Sequence, residues 1–526
     1  MRDFQLPGRS AVFATNGLCA TSHPLAARTA LQILDQGGNA ADAAIAAAVL
    51  LGIAEPAMTG LGGDCFALIK PAGSEDVQAL NGSGRAPMDL NADIMRAAGH
   101  KVMPLDTGDA VTLPGAVDGF CSLNHHYGAL PLDQILAPAI HYAETGIPVA
   151  PRAAFDWAHN GHKLQGDARG HFLIGGQPPK AGEVFSAPGQ AEVLRRIAKD
   201  GRAGFYEGEV AEDMCAALNA HGGRHRLEDF ATTEARWGTP ISGQYKGVEL
   251  LEHPPNGQGA TAILLANILS HFDLPDLEPF GARRTHTEAE AVKLAYDARN
   301  RIIADPDHTA RLDHMLAPET ARALAQLIRL NAVLPDPAPL TEAIHRDTVY
   351  LCVVDRHRMA VSLIYSIFHA FGSGIASPKF GILFQNRGAG FSLTPGHPNE
   401  LRGGHRPMHT IIPAMLKRDG KVSTIFGVMG GAYQPTGHAR MLTNWVDYGL
   451  GLQEALDAPR AFPEAGELRL ERGYSDAVRQ ELSDLGHLVT EPVEPIGGAQ
   501  AIALHQDGHV LEGASDPRKD GCALGS

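Results

Sequence analysis

Residues 40–54, AADAAIAAAVLLGIA, form the longest apolar segment of this chain and admit few structural solutions. The segment is too short and too rich in alanine to cross a bilayer, which takes about 20 apolar residues. A helix with no polar face has to be buried. Its flanks agree: Gly37, Gly38 and Asn39 break a preceding helix that runs from Pro24 to about Asp35, and Asn39 can cap the next one.

The chain has 526 residues, and a prior of about 100–200 residues per domain suggests two to four units. With 44% hydrophobic and 20% charged residues, neither a disordered nor a membrane class is favoured. A net charge of -15 and an isoelectric point near 5.9 argue against a nucleic-acid surface and for a small, soluble partner. The opening MRDFQLPGRSAVFATNG lacks a basic n-region and an apolar h-region, so the expected location is the cytoplasm. Six cysteines are spread over the whole length without a CxxC pair and read as buried or inert thiols.

Up to about residue 333 the pattern alternates helices with short strands. Helices are expected at 24–35, 40–54, 136–146 and 260–272, a long amphipathic one at 285–305, and a strand at 65–70. The stretch 334–347, LPDPAPLTEAIHRD, places Pro335, Pro337 and Pro339 at alternate positions, a spacing that neither a helix interior nor a central strand tolerates. It reads as a linker or exposed loop. Beyond it come the strands TVYLCVVD, AVSLIYSIF, KVSTIFGVMG and AIALHQDG, with NWVDYGLGLQEALDAP and YSDAVRQELSDLG as amphipathic helices.

Thr348 lies at the seam between these unlike segments. A threonine that merely starts a strand is unremarkable. Pairing TVYLCVVD with AVSLIYSIF across a turn at 356–359 sets Asp355 against Ala360 and Thr348 opposite Ile367, within one residue of register, with Ser366 beside Thr348. Two hydroxyls at the open end of a sheet make a nucleophile and an orienting partner.

Other motifs carry less. GLGGD (60–64) precedes a strand and lacks a GK[ST] ending, so it reads as a tight turn with glycines at positive φ and not as a phosphate loop. GVMGGAY (427–433) follows a strand and precedes a helix; the amides of Gly430 and Gly431 form either a nest for an oxyanion or a plain turn. Among 25 histidines no ligand spacing emerges, and His125, His126, His159 and His162 lie in loop-like surroundings. There is no GxSxG elbow.

The motifs GGNAADAAIAAAVLLGIAEP, GLGGDCF, LPGAVDG, LAPAIHYAETG, FYEG, PPNGQG, the Thr348 strand, FGSGI, HRPMHTIIP, MGGAYQ and GASDPRKDG stand in one order over nearly the whole chain. In that order they resemble the γ-glutamyltransferase (γ-glutamyltranspeptidase) family. The resemblance implies an α+β fold, the four-layer αββα sandwich of the N-terminal nucleophile hydrolases. It also implies self-cleavage between Asp347 and Thr348 into a large fragment, 1–347, mostly helical with part of the sandwich, and a small fragment, 348–526. The two would stay together as one intertwined catalytic unit, a heterodimer of the chain's own fragments.

Carried over by position, Thr348 becomes the nucleophile and, once its α-amine is free, its own base. Ser366 stands where the family has an orienting threonine, and Gly430 and Gly431 match the oxyanion-hole glycines. A free α-amine, with a pKa near 7.7–8.0, can deprotonate the weakly nucleophilic hydroxyl without a histidine. The substrate positions depart from the γ-glutamyltransferases. Ser83 replaces the carboxylate-gripping Arg, with Arg85 two residues on; Phe368 replaces an Asn; Gly390 replaces the Asp that pairs the substrate amine; His409-Thr410 replaces a Ser pair. NGSGRAP, RGAGFS and HTIIP are similar to the amidohydrolase branch, the type of the glutathione hydrolase-like proteins, cephalosporin acylases and oxamate amidohydrolase. Arg85, Arg387 and His409 then become candidate carboxylate anchors, with structural salt bridges as the alternative.

The expectation is an amidohydrolase that acts on a small, carboxylate-bearing amide through an acyl-enzyme, with no cofactor, metal, nucleic-acid or membrane partner. Two alternatives stay open: a genuine γ-glutamyltransferase or glutathione hydrolase, and an uncleaved, non-catalytic binding relative. The sequence leaves a higher homo-oligomer open.

Overall fold

A computed structural model describes Gln5, residues 8–334 and residues 348–526. Asp347 and the proline-rich stretch from 335 lie outside the described residues. Two seven-stranded sheets form the centre. In the first, the strands run in the order Cys522–Gly525, Leu18–Thr21, Val349–Val354, Ala360–Ser366, Asp64–Lys70, Gln78–Gly82 and Arg236–Gly238. In the second the order is Val12–Ala14, Val510–Ser515, Gly498–His505, Lys421–Met429, Ala414–Arg418, Val248–Glu252 and Ile241–Tyr245. Neighbouring strands in both sheets are antiparallel, and each sheet mixes strands from before and after the seam.

The central strands are apolar without interruption because both of their faces are covered. Along Val349–Val354, odd residues (Val349, Leu351, Val353) pack against helices, and even ones (Tyr350, Cys352, Val354) meet the second sheet. The helical cover includes Ala40–Ala54, which is buried along its whole length. Asn39 caps it, with a reciprocal contact from Asp42. Helices Gly259–Leu269, Ala282–Ile302 and Gln434–Val446 cover the outer face of the second sheet through Leu250, Leu416, Phe426 and Val428. The layers are therefore helix, sheet, sheet, helix, the expected αββα sandwich.

The hairpin that begins after Thr348 is anchored at its turn. Asp355 Oδ1 accepts from the amides of His357 and Met359, and its Oδ2 accepts from the Ala40 amide at 3.0 Å, at the N-terminus of the buried helix. Register follows: Val354 pairs with Ala360 and Val349 with Tyr365. Thr348 is thus carried opposite Ser366 rather than Ile367, one residue from the expected pairing, because Asp355 is held in the turn.

Several expected elements differ. The single amphipathic helix over 444–459 is two helices, Gln434–Val446 and Leu452–Asp457, parted where Gly449 adopts φ 62°. The helix expected at 136–146 begins at Leu132, and His125, His126 and His159 sit on helices rather than in loops. Ala282–Ile302 reads as amphipathic but is buried on most sides. Its polar face meets a second polar face: Arg284 Nη2 donates to Asn444 Oδ1 at 2.7 Å, Arg284 Nε to Glu288 at 2.7 Å, and Arg440 pairs with Glu288.

The two sheets approach closely where Gly427 faces Tyr350. A Cβ at Gly427 would stand 2.3 Å from the Tyr350 ring. The Tyr350 hydroxyl is fixed against Ser362 Oγ at 2.6 Å, so the ring has no room to retreat. Gly427→Ala is expected to cost about 1–3 kcal/mol by overpacking, read as an earlier urea midpoint. An unchanged midpoint would show that the sheets separate there without cost.

Candidate active site

Three neighbouring strands end in one row. Ser366 pairs with Asp64 across one strand boundary, and the hairpin register sets Thr348 beside Ser366 across the other. All three side chains share the even-numbered face that meets the second sheet, and all three are buried. Thr348 Oγ1 donates to Ser366 Oγ at 3.2 Å. Ser366 Oγ also accepts from the Phe368 amide at 2.9 Å and from Arg387 Nη2 at 3.4 Å.

Arg387 organises the rest. Its side chain has no solvent exposure; Nη1 donates to Thr410 Oγ1 at 2.9 Å, and its guanidinium carbon lies 3.9 Å from the centre of the Phe368 ring. The Asp64 carboxylate lies beside it, with Nε 4.0 Å from Oδ2. Asp64 Oδ1 in turn accepts from the amides of Gly84 (2.9 Å) and Gly115 (3.3 Å) and from Gln385 Nε2 (3.1 Å). His409 Nε2 donates to Asp64 Oδ2 at 3.0 Å, and His409 Nδ1 accepts from the Ile411 amide at 3.3 Å. Burial, helped by the nearby Arg387 charge, keeps His409 neutral, its pKa well below the usual value. The resting charges are therefore Arg387⁺ and Asp64⁻, with His409 as a neutral bridge.

Gly430 and Gly431 follow the strand Lys421–Met429 with φ of 114° and 53° and open the turn into helix Gln434–Val446. Only glycine suits Gly430, since a Cβ would lie 2.9 Å from Gly497 Cα. Among the described residues neither amide has an acceptor. Gln258 ties this turn to the cluster, its Nε2 donating to the carbonyls of Thr410 (2.6 Å) and Gly431 (3.0 Å). Arg299 Nη1 fixes the Gln258 oxygen at 2.9 Å.

The structure thus brings together Thr348, Ser366, Phe368, Arg387, His409, Thr410 and, through Gln258, Gly431. Arg85 stands apart, half-buried, with Nη1 2.6 Å from the Gly404 carbonyl and 3.7 Å from Asp305. Asp347 lies outside the described residues. Three participants were missed. Asp64 hides in GLGGD, where close approach and not positive φ requires Gly62 and Gly63: a Cβ at Gly62 would lie 2.2 Å from the Leu383 oxygen, and one at Gly63 2.4 Å from the Ser366 oxygen. An acid at the mouth of an apolar strand was the available signal. Gln258 and Arg299 had none, being joined to the cluster only by folding.

A cavity of about 500 Å³ adjoins the cluster, lined among others by His369, Gly390, Phe391, Met408, Ala432 and Arg299. Its one carboxylate among the described residues is Glu464, which Arg469 holds at 2.6 Å.

Burial raises the Asp64 pKa from 3.8 to about 6, against the pull of Arg387 and its three donors on Oδ1. Because the folded value is the higher, native protein binds this proton between about pH 6 and pH 4 while the unfolded chain does not. Asp64 thus adds stability as pH falls through that window and loses it as pH rises through about 6. The full difference is roughly 3 kcal/mol. Wild type should gain stability over Asp64→Asn between pH 7 and pH 4.5, measured by denaturant midpoints at each pH; parallel curves would place the Asp64 pKa near its ordinary value.

Comparison with known proteins agrees with the geometry. The family model described as gamma-glutamyltranspeptidase matches residues 26–526. The chain is 35% identical to the glutathione hydrolase-like YwrD proenzyme of Bacillus subtilis, covering 98% of this chain and 99% of that one. It is also 35% identical to the oxamate amidohydrolase proenzyme of Klebsiella pneumoniae, covering 97% and 99%. The crystal structure of a cephalosporin acylase from Bacillus halodurans superposes with a TM-score of 0.91 at 37% identity, over 100% of this chain and 99% of that one. A buried threonine–serine pair at the end of an αββα sandwich and a match spanning nearly the full length lead to one conclusion: the chain belongs to the gamma-glutamyltranspeptidase family and is an enzyme of its N-terminal nucleophile hydrolase type.

Proposed function

We propose that this enzyme cuts itself before Thr348 and then hydrolyses a small amide whose acyl part carries a carboxylate. The observation that carries the reading is the buried Thr348–Ser366 hydroxyl pair, with the Arg387 guanidinium on the same serine oxygen. In the first step Thr348 Oγ1 attacks the Asp347 carbonyl, the C–N bond breaks, and the freed nitrogen takes the proton. Water then hydrolyses the resulting ester. In turnover the freed amine removes the Thr348 hydroxyl proton, the oxygen attacks the substrate amide, and the leaving amine receives that proton. The amides of Gly430 and Gly431 receive the oxyanion. Water releases the acid. The Arg387 charge disfavours a second cation nearby and so favours the neutral, basic form of the amine.

Substrate class follows from the walls. Position 390 is glycine, Phe368 is a ring packed on Arg387, and the cavity's carboxylate, Glu464, is already paired with Arg469. Among the described residues no other carboxylate lines that cavity to pair an α-ammonium, whose burial without a partner costs several kcal/mol. A substrate carboxylate would instead meet Arg299 on the cavity wall or Arg387 behind it. The relatives named for oxamate and cephalosporin amides agree with such an acyl group.

Mass analysis should show a fragment that begins TVYLCVVD, and Thr348→Ala should remain whole and inactive; an intact, active chain would sink the reading. Ser366→Ala is expected to lower kcat by about ten- to a hundredfold, the size of one lost transition-state hydrogen bond. On one preparation, glutaryl p-nitroanilide should match or exceed the γ-glutamyl compound in kcat/KM. A γ-glutamyl preference of roughly a hundredfold, about 2.7 kcal/mol, would reveal a dedicated amine partner.

A further inference from the structure

Remote from Thr348 in sequence and function, helix Ala282–Ile302 presents His286 and Glu290 one turn apart, and the loop after helix Asp476–Asp484 brings His487 against them. One ligand atom from each residue falls within 4.8 Å of the others, and all three residues are buried. The geometry points to a divalent transition-metal site, zinc in type, formed by His286 Nδ1, His487 Nε2 and a Glu290 carboxylate oxygen.

The surroundings are those of a ligand set and not of three stray side chains. His286 Nε2 donates to the Arg329 carbonyl at 2.7 Å, which fixes the tautomer and leaves the Nδ1 lone pair facing His487. Glu290 Oε2 accepts from the Leu334 amide at 2.6 Å, leaving Oε1 for the site. A cavity of about 160 Å³ borders His487 and Lys293 and leaves room for a water as fourth ligand.

Two adjustments accompany binding. His286 Nδ1 and His487 Nε2 are now 2.8 Å apart, joined by a hydrogen bond, and would open to about 3.3 Å around an ion with metal–nitrogen bonds of about 2.0–2.1 Å. His487 moves its ring proton from Nε2 to Nδ1, with no net release. Lys293 Nζ, 2.8 Å from Glu290 Oε1, swings away toward Glu467, which lines the same cavity. Lys293 therefore competes with the metal, and its removal should tighten binding.

His286 and Glu290 precede the proposed cut and His487 follows it. A bound ion would link the two fragments and hold Leu334, the last described residue before the processing segment. Metal binding itself does not depend on that cut, so its test is independent of catalysis.

The experiment titrates chelator-treated full-length protein with zinc chloride by calorimetry, and with cobalt(II) by visible absorption. One equivalent should bind at about micromolar affinity or tighter, with the intense cobalt bands of a four- or five-coordinate site. His487→Gln and Glu290→Gln should each weaken binding at least tenfold, and Lys293→Gln should tighten it several-fold. Absence of stoichiometric binding by wild type overturns the proposal. So does a Kd that neither His487→Gln nor Lys293→Gln changes, which would place the ion on other histidines.

Discussion

The buried charge of Arg387 is the constraint around which the catalytic end of the sandwich is arranged. A guanidinium out of water is tolerated only if its donors and its charge are matched, and its counter-ion Asp64 is 4.0 Å away rather than in contact. Arg387 also donates to two hydroxyls, those of Ser366 and Thr410, and lies over the face of Phe368. Ser366 and Phe368 share one segment, while Thr410 and Asp64 come from two others, so satisfying one side chain fixes three segments at once. Ser366 in turn fixes the hydroxyl of Thr348.

Asp64 extends the same logic to the glycine-rich turns. Its carboxylate collects amides from Gly84 and Gly115 and the side chain of Gln385, which is the way a buried anion remains ionised without a close cation. The glycines around it allow the approach: a Cβ at Gly84 would collide with the Leu113 oxygen, and one at Gly115 with the Gly82 oxygen. Close backbone packing and polar satisfaction are thus one design, and His409 completes it as a neutral donor.

On the opposite outer layer, polar residues join the parts of the chain before and after the seam. Arg284 and Glu288 from the first part meet Arg440, Thr443 and Asn444 from the second, all buried. Both sheets contain strands from both parts. Fragments separated at the seam would still share a continuous core, because strand pairs such as Ala360–Ser366 with Asp64–Lys70 and Ala414–Arg418 with Val248–Glu252 cross that boundary. The long helix expected to be amphipathic, Ala282–Ile302, is internal for the same reason: its charges face other charges.

Local pattern was enough for the elements and their kind. Uniformly apolar residues 40–54 had to be a buried helix, β-branched runs read as strands, and the hairpin after Thr348 could be paired to within one residue, since turn length and side-chain alternation are local properties. Thr348, Ser366 and the glycine turn were singled out by motif order, and the structure places Thr348 and Ser366 in contact. Tertiary structure alone decided which polar residues meet: Asp64 with Arg387 over 320 positions, Gln258 with Thr410 and Gly431, Arg299 with Gln258, and the rejection of Arg85 to the Asp305 side. Hydrogen bonds and charges act within a few ångströms, whereas residue spacing along the chain carries no record of which distant segments the two stacked sheets bring to one end.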